Sequence, residues 1–197
     1  MLQLVTTKSD KYSVAEQAQM AIEGGCAWIE VDPASVDDGS SLREVLEMLI
    51  SLCQESETIL TVRHDVTICK DMKIHGVHLT AGDMSTTEAR AELGPHAIIG
   101  VDVTSADEIL PLAALDIDYA SLGTFGPDFG FDKYTEIISA ARQQGAKTPV
   151  VARGHITLDD IVMLKGAGVN GIAIGAPIIS APDPVVATRA YLQLLQQ

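Results

Sequence analysis

With 197 residues, 47% of them hydrophobic, and a mean hydropathy of +0.21, the chain can bury one substantial core and has no room for a second full domain. Its formal net charge of −14 repels nucleic acid and anionic membranes, so any anionic ligand must be small and gripped by local donors. Cys26, Cys53 and Cys69 lack CxxC spacing and read as reduced core thiols; with no signal pattern after Met1 and no apolar run of spanning length, the expectation is a cytoplasmic protein without a membrane partner.

In chain order, β-rich apolar runs alternate with helical patterns. Strand Leu2–Thr6 precedes helix Val14–Glu23, and strand Ala27–Val31 precedes helix Leu42–Cys53. Strand Ile59–Val62 leads to a short helix at Thr67–Lys73, and strand Gly76–Leu79 to helix Thr86–Glu92. Strand Ala97–Val101 and helix Ala106–Ala113 follow, then strand Tyr119–Leu122 and helix Tyr134–Gln144. The last two units pair strand Pro149–Ala152 with helix Leu158–Ala167, and strand Gly171–Ile174 with helix Pro184–Gln196. Ser13, Ser105, Thr157 with Asp160, and Asp183-Pro184 supply helix starts; Gly24-Gly25, Gly94-Pro95, Gly145 and Gly166 supply stops.

Eight strict alternations call for parallel strands with helices outside, a (β/α)8 TIM barrel occupying residues 1–197 as one domain. The rival, an open doubly wound sheet, usually carries a glycine-rich turn after its first strand, where this chain has Thr6-Thr-Lys-Ser-Asp10. In a barrel the active site lies at the strand C-termini. The runs Val150–Ile156 and Gly168–Ile178 are two buried strands that each end in a glycine-bearing turn. Backbone N–H groups at such turns approach an anion closely, which makes Gly154, His155, Gly175 and Ala176 the expected phosphate-binding residues.

Gly24-Gly25, Gly76-Val-His-Leu79 with Asp83, Ile99-Gly-Val101, Asp118-Tyr119, Ala152-Arg-Gly-His-Ile156 and Gly171-Ile-Ala-Ile174, in this order and spacing, resemble the thiamine-phosphate synthase/TenI family nearly end to end. The resemblance implies a synthase that joins hydroxymethylpyrimidine diphosphate to a thiazole phosphate with Mg²⁺ and releases diphosphate. The alternatives are a TenI-like thiazole-phosphate tautomerase or a non-catalytic binder of a thiamine-pathway phosphate. A further alternative is another phosphate-binding barrel enzyme that uses His155. The partner is a small phosphorylated heterocycle, and a homo-oligomer accords with the family's habit.

The departures from the family pattern define the remaining candidates. A Gln-x-Arg-x-Lys segment is replaced by Glu30-Val-Asp-Pro-Ala34, an Asn-Asp-Arg segment by Arg63-His64-Asp65, and a serine by Asp102. The tautomerase histidine aligns with Thr124, and a loop lysine is displaced to Lys133 in a segment that also holds Phe125, Phe129 and Phe131. Catalytic roles fall to Arg63, whose guanidinium could grip phosphate or pair with Glu30 or Asp65, to His155 as a general acid or base, and to Lys133 swinging in from its loop. Substrate contacts fall to Glu30, Asp102, which could accept from a pyrimidine amine or cap a helix, and Thr124. Asp83 matches a metal carboxylate or caps the helix opening at Ser85. With it His64, a poorer Mg²⁺ ligand, could hold Mn²⁺ or Zn²⁺, or be a hydrogen-bonded structural residue. His78 points into the barrel if Val77 faces the helices, and is expected as a core histidine.

Overall fold

The computed structural model describes residues 1–36, 39–123 and 130–197. Eight parallel strands close a barrel in sequential order: β1 (Leu2–Val5), β2 (Trp28–Val31), β3 (Ile59–Arg63), β4 (Gly76–Leu79), β5 (Ile98–Val103), β6 (Tyr119–Leu122), β7 (Val150–Arg153) and β8 (Gly171–Ile174). Outside lie α1 (Val14–Glu23), α2 (Leu42–Glu55), α3 (Val66–Met72), α4 (Thr86–Leu93), α5 (Ala106–Ile109), α6 (Phe131–Gln143), α7 (Ile161–Gly166), α8 (Ala176–Ile179) and α9 (Pro184–Gln196). Closure is made by β1 pairing with β8, Leu4 opposite Ile174.

Strand period two sorts the sequence into two surfaces. Leu2 and Leu4, Ile29 and Val31, Leu60 and Val62, Val77 and Leu79, Ala120 and Leu122, Val150 and Ala152, and Ile172 and Ile174 all join the main apolar core shared with the helices. The alternate positions fill the barrel. An apolar set of Val5, Trp28, Tyr119, Val151 and Ala173 packs there, with Ile59 and Ile98 against it. Interleaved with it is a polar layer: Gln3, Glu30, Arg63, His78, Ser121 and Arg153 are all buried. A TIM-barrel interior is commonly filled with branched apolar side chains, so this layer asks for a functional reason.

Several boundaries differ from the sequence expectation. Helix α5 stops at Ile109 rather than Ala113, because Pro111 cannot donate to a preceding helical carbonyl. Strand β5 runs on to Val103, which places Asp102 within the strand. Helix α6 begins at Phe131, so Lys133 stands in a helical first turn rather than in a loop. The seventh helix is interrupted, a 3₁₀ turn over Leu158–Asp160 preceding α7. The short helix α8, directly after Gly175, had no counterpart in the expected elements. Ser13, Ser85 and Thr157 form capping boxes at the helix starts. Among the described residues no helix is long and apolar enough to cross a membrane.

Candidate functional site

At the C-terminal ends of β1, β7 and β8 lies a cavity of about 310 Å³ lined by Val5–Thr7, Asp32, Gly154, His155 and Gly175–Pro177. The four residues expected at a phosphate therefore share one cavity. Glycine is required at two of them for different reasons. Gly154 has φ +134°, a conformation strained for any side chain, while a Cβ on Gly175 would lie 2.2 Å from the Val5 carbonyl oxygen. Gly175 thus lets the β8 turn close against β1, and α8 starts immediately at Ala176. His155 is exposed at the rim.

Beside the cavity the polar interior forms one connected network. Arg153 Nη2 donates to Glu30 Oε1 at 2.9 Å, across the barrel, and Arg153 Nε donates to Ser121 Oγ at 2.8 Å. Arg63 faces three carboxylates at 3.5–3.8 Å: Glu30, Asp32 and Asp102. Asp65, the other pairing weighed for Arg63, instead caps α3 by accepting from the Ile68 N–H. Gln3 Nε2 donates to Glu30 Oε2 at 2.7 Å and to the Tyr119 hydroxyl at 3.3 Å. Asp102 accepts from His78 Nε2 at 2.8 Å rather than capping a helix; Ser105 caps α5.

The titration of this network follows from burial set against neighbouring charge. Burial alone would raise the carboxyl of Glu30, yet the guanidinium groups of Arg153 and Arg63 outweigh it and hold Glu30 below its ordinary range. Asp102 is lowered too, burial being overcome by its hydrogen bond from His78. At His78 burial wins and depresses the imidazole, so the ring is neutral at pH 7. Burial raises the Tyr119 phenol well above its usual value, which keeps its proton on.

On the far side of the mouth, His64 Nδ1 donates to Asp83 Oδ2 at 2.8 Å, and the same oxygen accepts from the Thr80 N–H and hydroxyl. Asp83 thus folds back on Thr80 and does not cap α4; that role belongs to Ser85. No group of three or more His, Cys, Asp or Glu side chains suited to a metal occurs among the described residues. The donor set still fits Mg²⁺ in one respect. That ion takes one or two protein carboxylates and completes its shell with water and substrate phosphates, and the second oxygen of Asp83 makes none of these bonds. The His64 nitrogen bonded to Asp83 is directed to the carboxylate.

Arg153, Gln3, Tyr119 and Ser121 were not singled out from the sequence as site residues. The signal that finds them is parity: each shares its strand's inward register with another barrel-filling residue, Arg153 two residues after Val151, Ser121 two after Tyr119 and Gln3 two before Val5. Thr124, Phe125 and Phe129 lie outside the described residues.

Comparison with known proteins gives one consistent result. The family described as thiamine monophosphate synthase matches residues 2–178. A thiamine-phosphate synthase of Bacteroides fragilis is 35% identical over 202 aligned positions covering 98% of each protein. The Bacteroides thetaiotaomicron thiamine-phosphate synthase is likewise 35% identical, over 98% of this chain and 96% of its own. Among solved structures, thiamine phosphate pyrophosphorylase from Pyrococcus furiosus superposes with a TM-score of 0.84 at 26% identity, covering 99% of this chain and 95% of that one. Orotidine 5′-phosphate decarboxylase from Pyrococcus horikoshii, at 13% identity and TM-score 0.73, shares the fold alone.

Proposed function

The chain belongs to the thiamine monophosphate synthase family, and on that premise we propose that it joins hydroxymethylpyrimidine diphosphate to a thiazole phosphate, releasing diphosphate. The observation that carries this reading is the glycine-built cavity at the ends of β7 and β8, next to the polar mouth formed by β2, β3 and β5. A phosphate held by backbone at Gly154, His155, Gly175 and Ala176 places its thiazole over Asp32 and toward Arg63 and Asp102. The pyrimidine then lies over Asp102 and Glu30, with its diphosphate toward Asp83.

Asp83 is the residue that would hold Mg²⁺, which when bound would supply charge neutralisation of the diphosphate leaving group. The work of the chain itself is positioning and proton management. His64 orients Asp83. Arg63, already bridging Glu30, Asp32 and Asp102, fixes these carboxylates around the reacting pair. His155, at the rim of the phosphate cavity, is placed to donate to the thiazole phosphate. Lys133, in the first turn of α6, completes the set of described candidates, and Thr124, which follows β6 in sequence, remains a candidate substrate contact by the family resemblance alone.

The reading extends to a protein that works in the cytoplasm as a homo-oligomer on small phosphorylated heterocycles, without nucleic acid or membrane. Incubation with both substrates and Mg²⁺, followed by chromatographic detection of thiamine phosphate, tests it. Product formation that requires all three components is expected. Absence of product at enzyme concentrations equal to substrate overturns the synthase reading. One observation favours a second reading: Arg63 is engaged by three carboxylates, which occupies the guanidinium beside the proposed diphosphate end, whereas the phosphate end relies on backbone alone. A binder of thiazole phosphate with metal-independent affinity and no turnover is the outcome that would select it.

A further inference from the structure

The barrel interior contains a directed chain of hydrogen bonds that substrate transfer alone does not explain. Gln3 Nε2 donates to the Tyr119 hydroxyl at 3.3 Å, the Tyr119 hydroxyl meets His78 Nδ1 at 2.9 Å, and His78 Nε2 meets Asp102 Oδ1 at 2.8 Å. A carboxylate only accepts, so Nε2 of the neutral ring carries the proton and Nδ1 accepts from the phenol. Gln3, Tyr119 and His78 are buried, whereas the Asp102 side chain is 30% exposed. Asp102 is the end of the chain that reaches the mouth.

The phenol is itself locked. A Cβ at Gly100 would lie 2.0 Å from Tyr119 Cζ, so the ring is seated on a glycine of the neighbouring strand. The Trp28 ring meets Tyr119 edge-on, centroids 5.4 Å apart. With both imidazole nitrogens engaged, His78 has one orientation, and Asp102 Oδ1 is committed to it. Asp102 Oδ2 lies 3.5 Å from Arg63 Nη2, too long for a strong bond. It is the oxygen placed to receive a donor from a ligand.

Resting on the synthase reading, we propose that His78, backed by Tyr119 and Gln3, is a positioning residue that presents Asp102 as the acceptor selecting an amino-bearing pyrimidine. The charges agree with this choice. Glu30 and Asp102 face Arg63 and Arg153 at 2.9–3.5 Å, so this part of the mouth suits a neutral ring with N–H donors better than another anion.

Binding rather than turnover tests the proposal, since removing the amine also changes the reactivity of the ring. Dissociation constants of aminopyrimidine monophosphate and its des-amino analogue are measured by calorimetry, with thiazole phosphate as a control ligand. The native protein should prefer the amino compound about ten- to a hundredfold, the range for one hydrogen bond to a charged acceptor. Asp102→Ala and His78→Phe should bring that ratio close to one. His78→Gln, whose amide nitrogen can replace Nε2–H, should recover most of it. If His78→Phe fails to fold by circular dichroism, Tyr119→Phe, which deletes one oxygen, carries the test of the relay with an expected several-fold drop. No amino preference in the native protein, or a ratio unmoved in Asp102→Ala or Tyr119→Phe, overturns the proposal. Failure of the synthase reading appears separately, as amino preference without any thiamine phosphate formed.

Discussion

Glu30→Gln is the sharpest perturbation of this barrel, because it restores the residue type implied by the family pattern while removing one buried charge. Glu30 is wholly buried and receives Arg153 at 2.9 Å, Arg63 at 3.5 Å and Gln3 at 2.7 Å. After substitution the Arg153 guanidinium, its side chain 1% exposed, keeps Asp102 at 3.5 Å and Ser121, but loses the carboxylate at 2.9 Å, the nearest among the described residues. Breaking a buried ion pair by removing one partner costs about 3–5 kcal/mol, a large share of the roughly 5–15 kcal/mol of a typical domain. Urea unfolding followed by far-UV circular dichroism reads the effect. With a slope near the upper end of the usual range, about 3 kcal/mol per molar urea, the midpoint should fall by about 1–1.7 M. The double variant Glu30→Gln/Arg153→Met, which removes both charges, should be more stable than Glu30→Gln alone. A midpoint for Glu30→Gln indistinguishable from the native protein, or a double variant less stable than the native protein by the sum of the two single losses, would refute the claim that Glu30 is charged because Arg153 is there.

Other substitutions probe the remaining parts of the site. Gly175→Ala, whose methyl would meet the Val5 carbonyl at 2.2 Å, should weaken thiazole-phosphate binding at least tenfold in calorimetry. Gly154→Ala, forced to φ +134°, should cost about 1–3 kcal/mol in urea unfolding. His64→Ala should raise the Mg²⁺ concentration for half-maximal activity about 10–100-fold by releasing the Asp83 carboxylate, as loss of an orienting partner does elsewhere; Asp83→Ala should abolish the response to Mg²⁺. Stability should decline in two stages on acidification. His78, depressed from 6.5, stays neutral in the fold while the unfolded chain takes up a proton, so stability is lost as pH drops below about 6.5. Glu30 and Asp102, depressed from 4.5 and 3.8, hold their contribution above those values and lose it as pH falls through their lower folded-state pKa values. Thermal melts between pH 8 and 3 check this, and His78→Gln should remove the first stage only.

The barrel was legible in the sequence because each strand carries its own period-two record. Outward positions such as Leu60, Val62, Val77 and Leu79 are uniformly apolar, and glycine or serine marks most helix ends. The gathering of Gly154, His155, Gly175 and Ala176 around one cavity was legible too, since its glycines answer a local backbone requirement that sequence displays directly. Arg153 escaped notice because a guanidinium between Ala152 and Gly154 looks like a strand-end surface residue until β7 is placed opposite Glu30 on β2, 123 residues away. The pairing of His64 with Asp83 was equally hidden, as both suit a metal by residue type and only proximity shows that they bond each other. Helix lengths failed where a single residue intervened, Pro111 ending α5 being the clearest case.

A crystal structure with thiamine phosphate bound is the most direct measurement of the central claim. The account predicts the phosphate against the backbone of Gly154, His155, Gly175 and Ala176, and the pyrimidine amine at Asp102. A phosphate seated away from these turns, or a product held with its pyrimidine outside the barrel mouth, would contradict it.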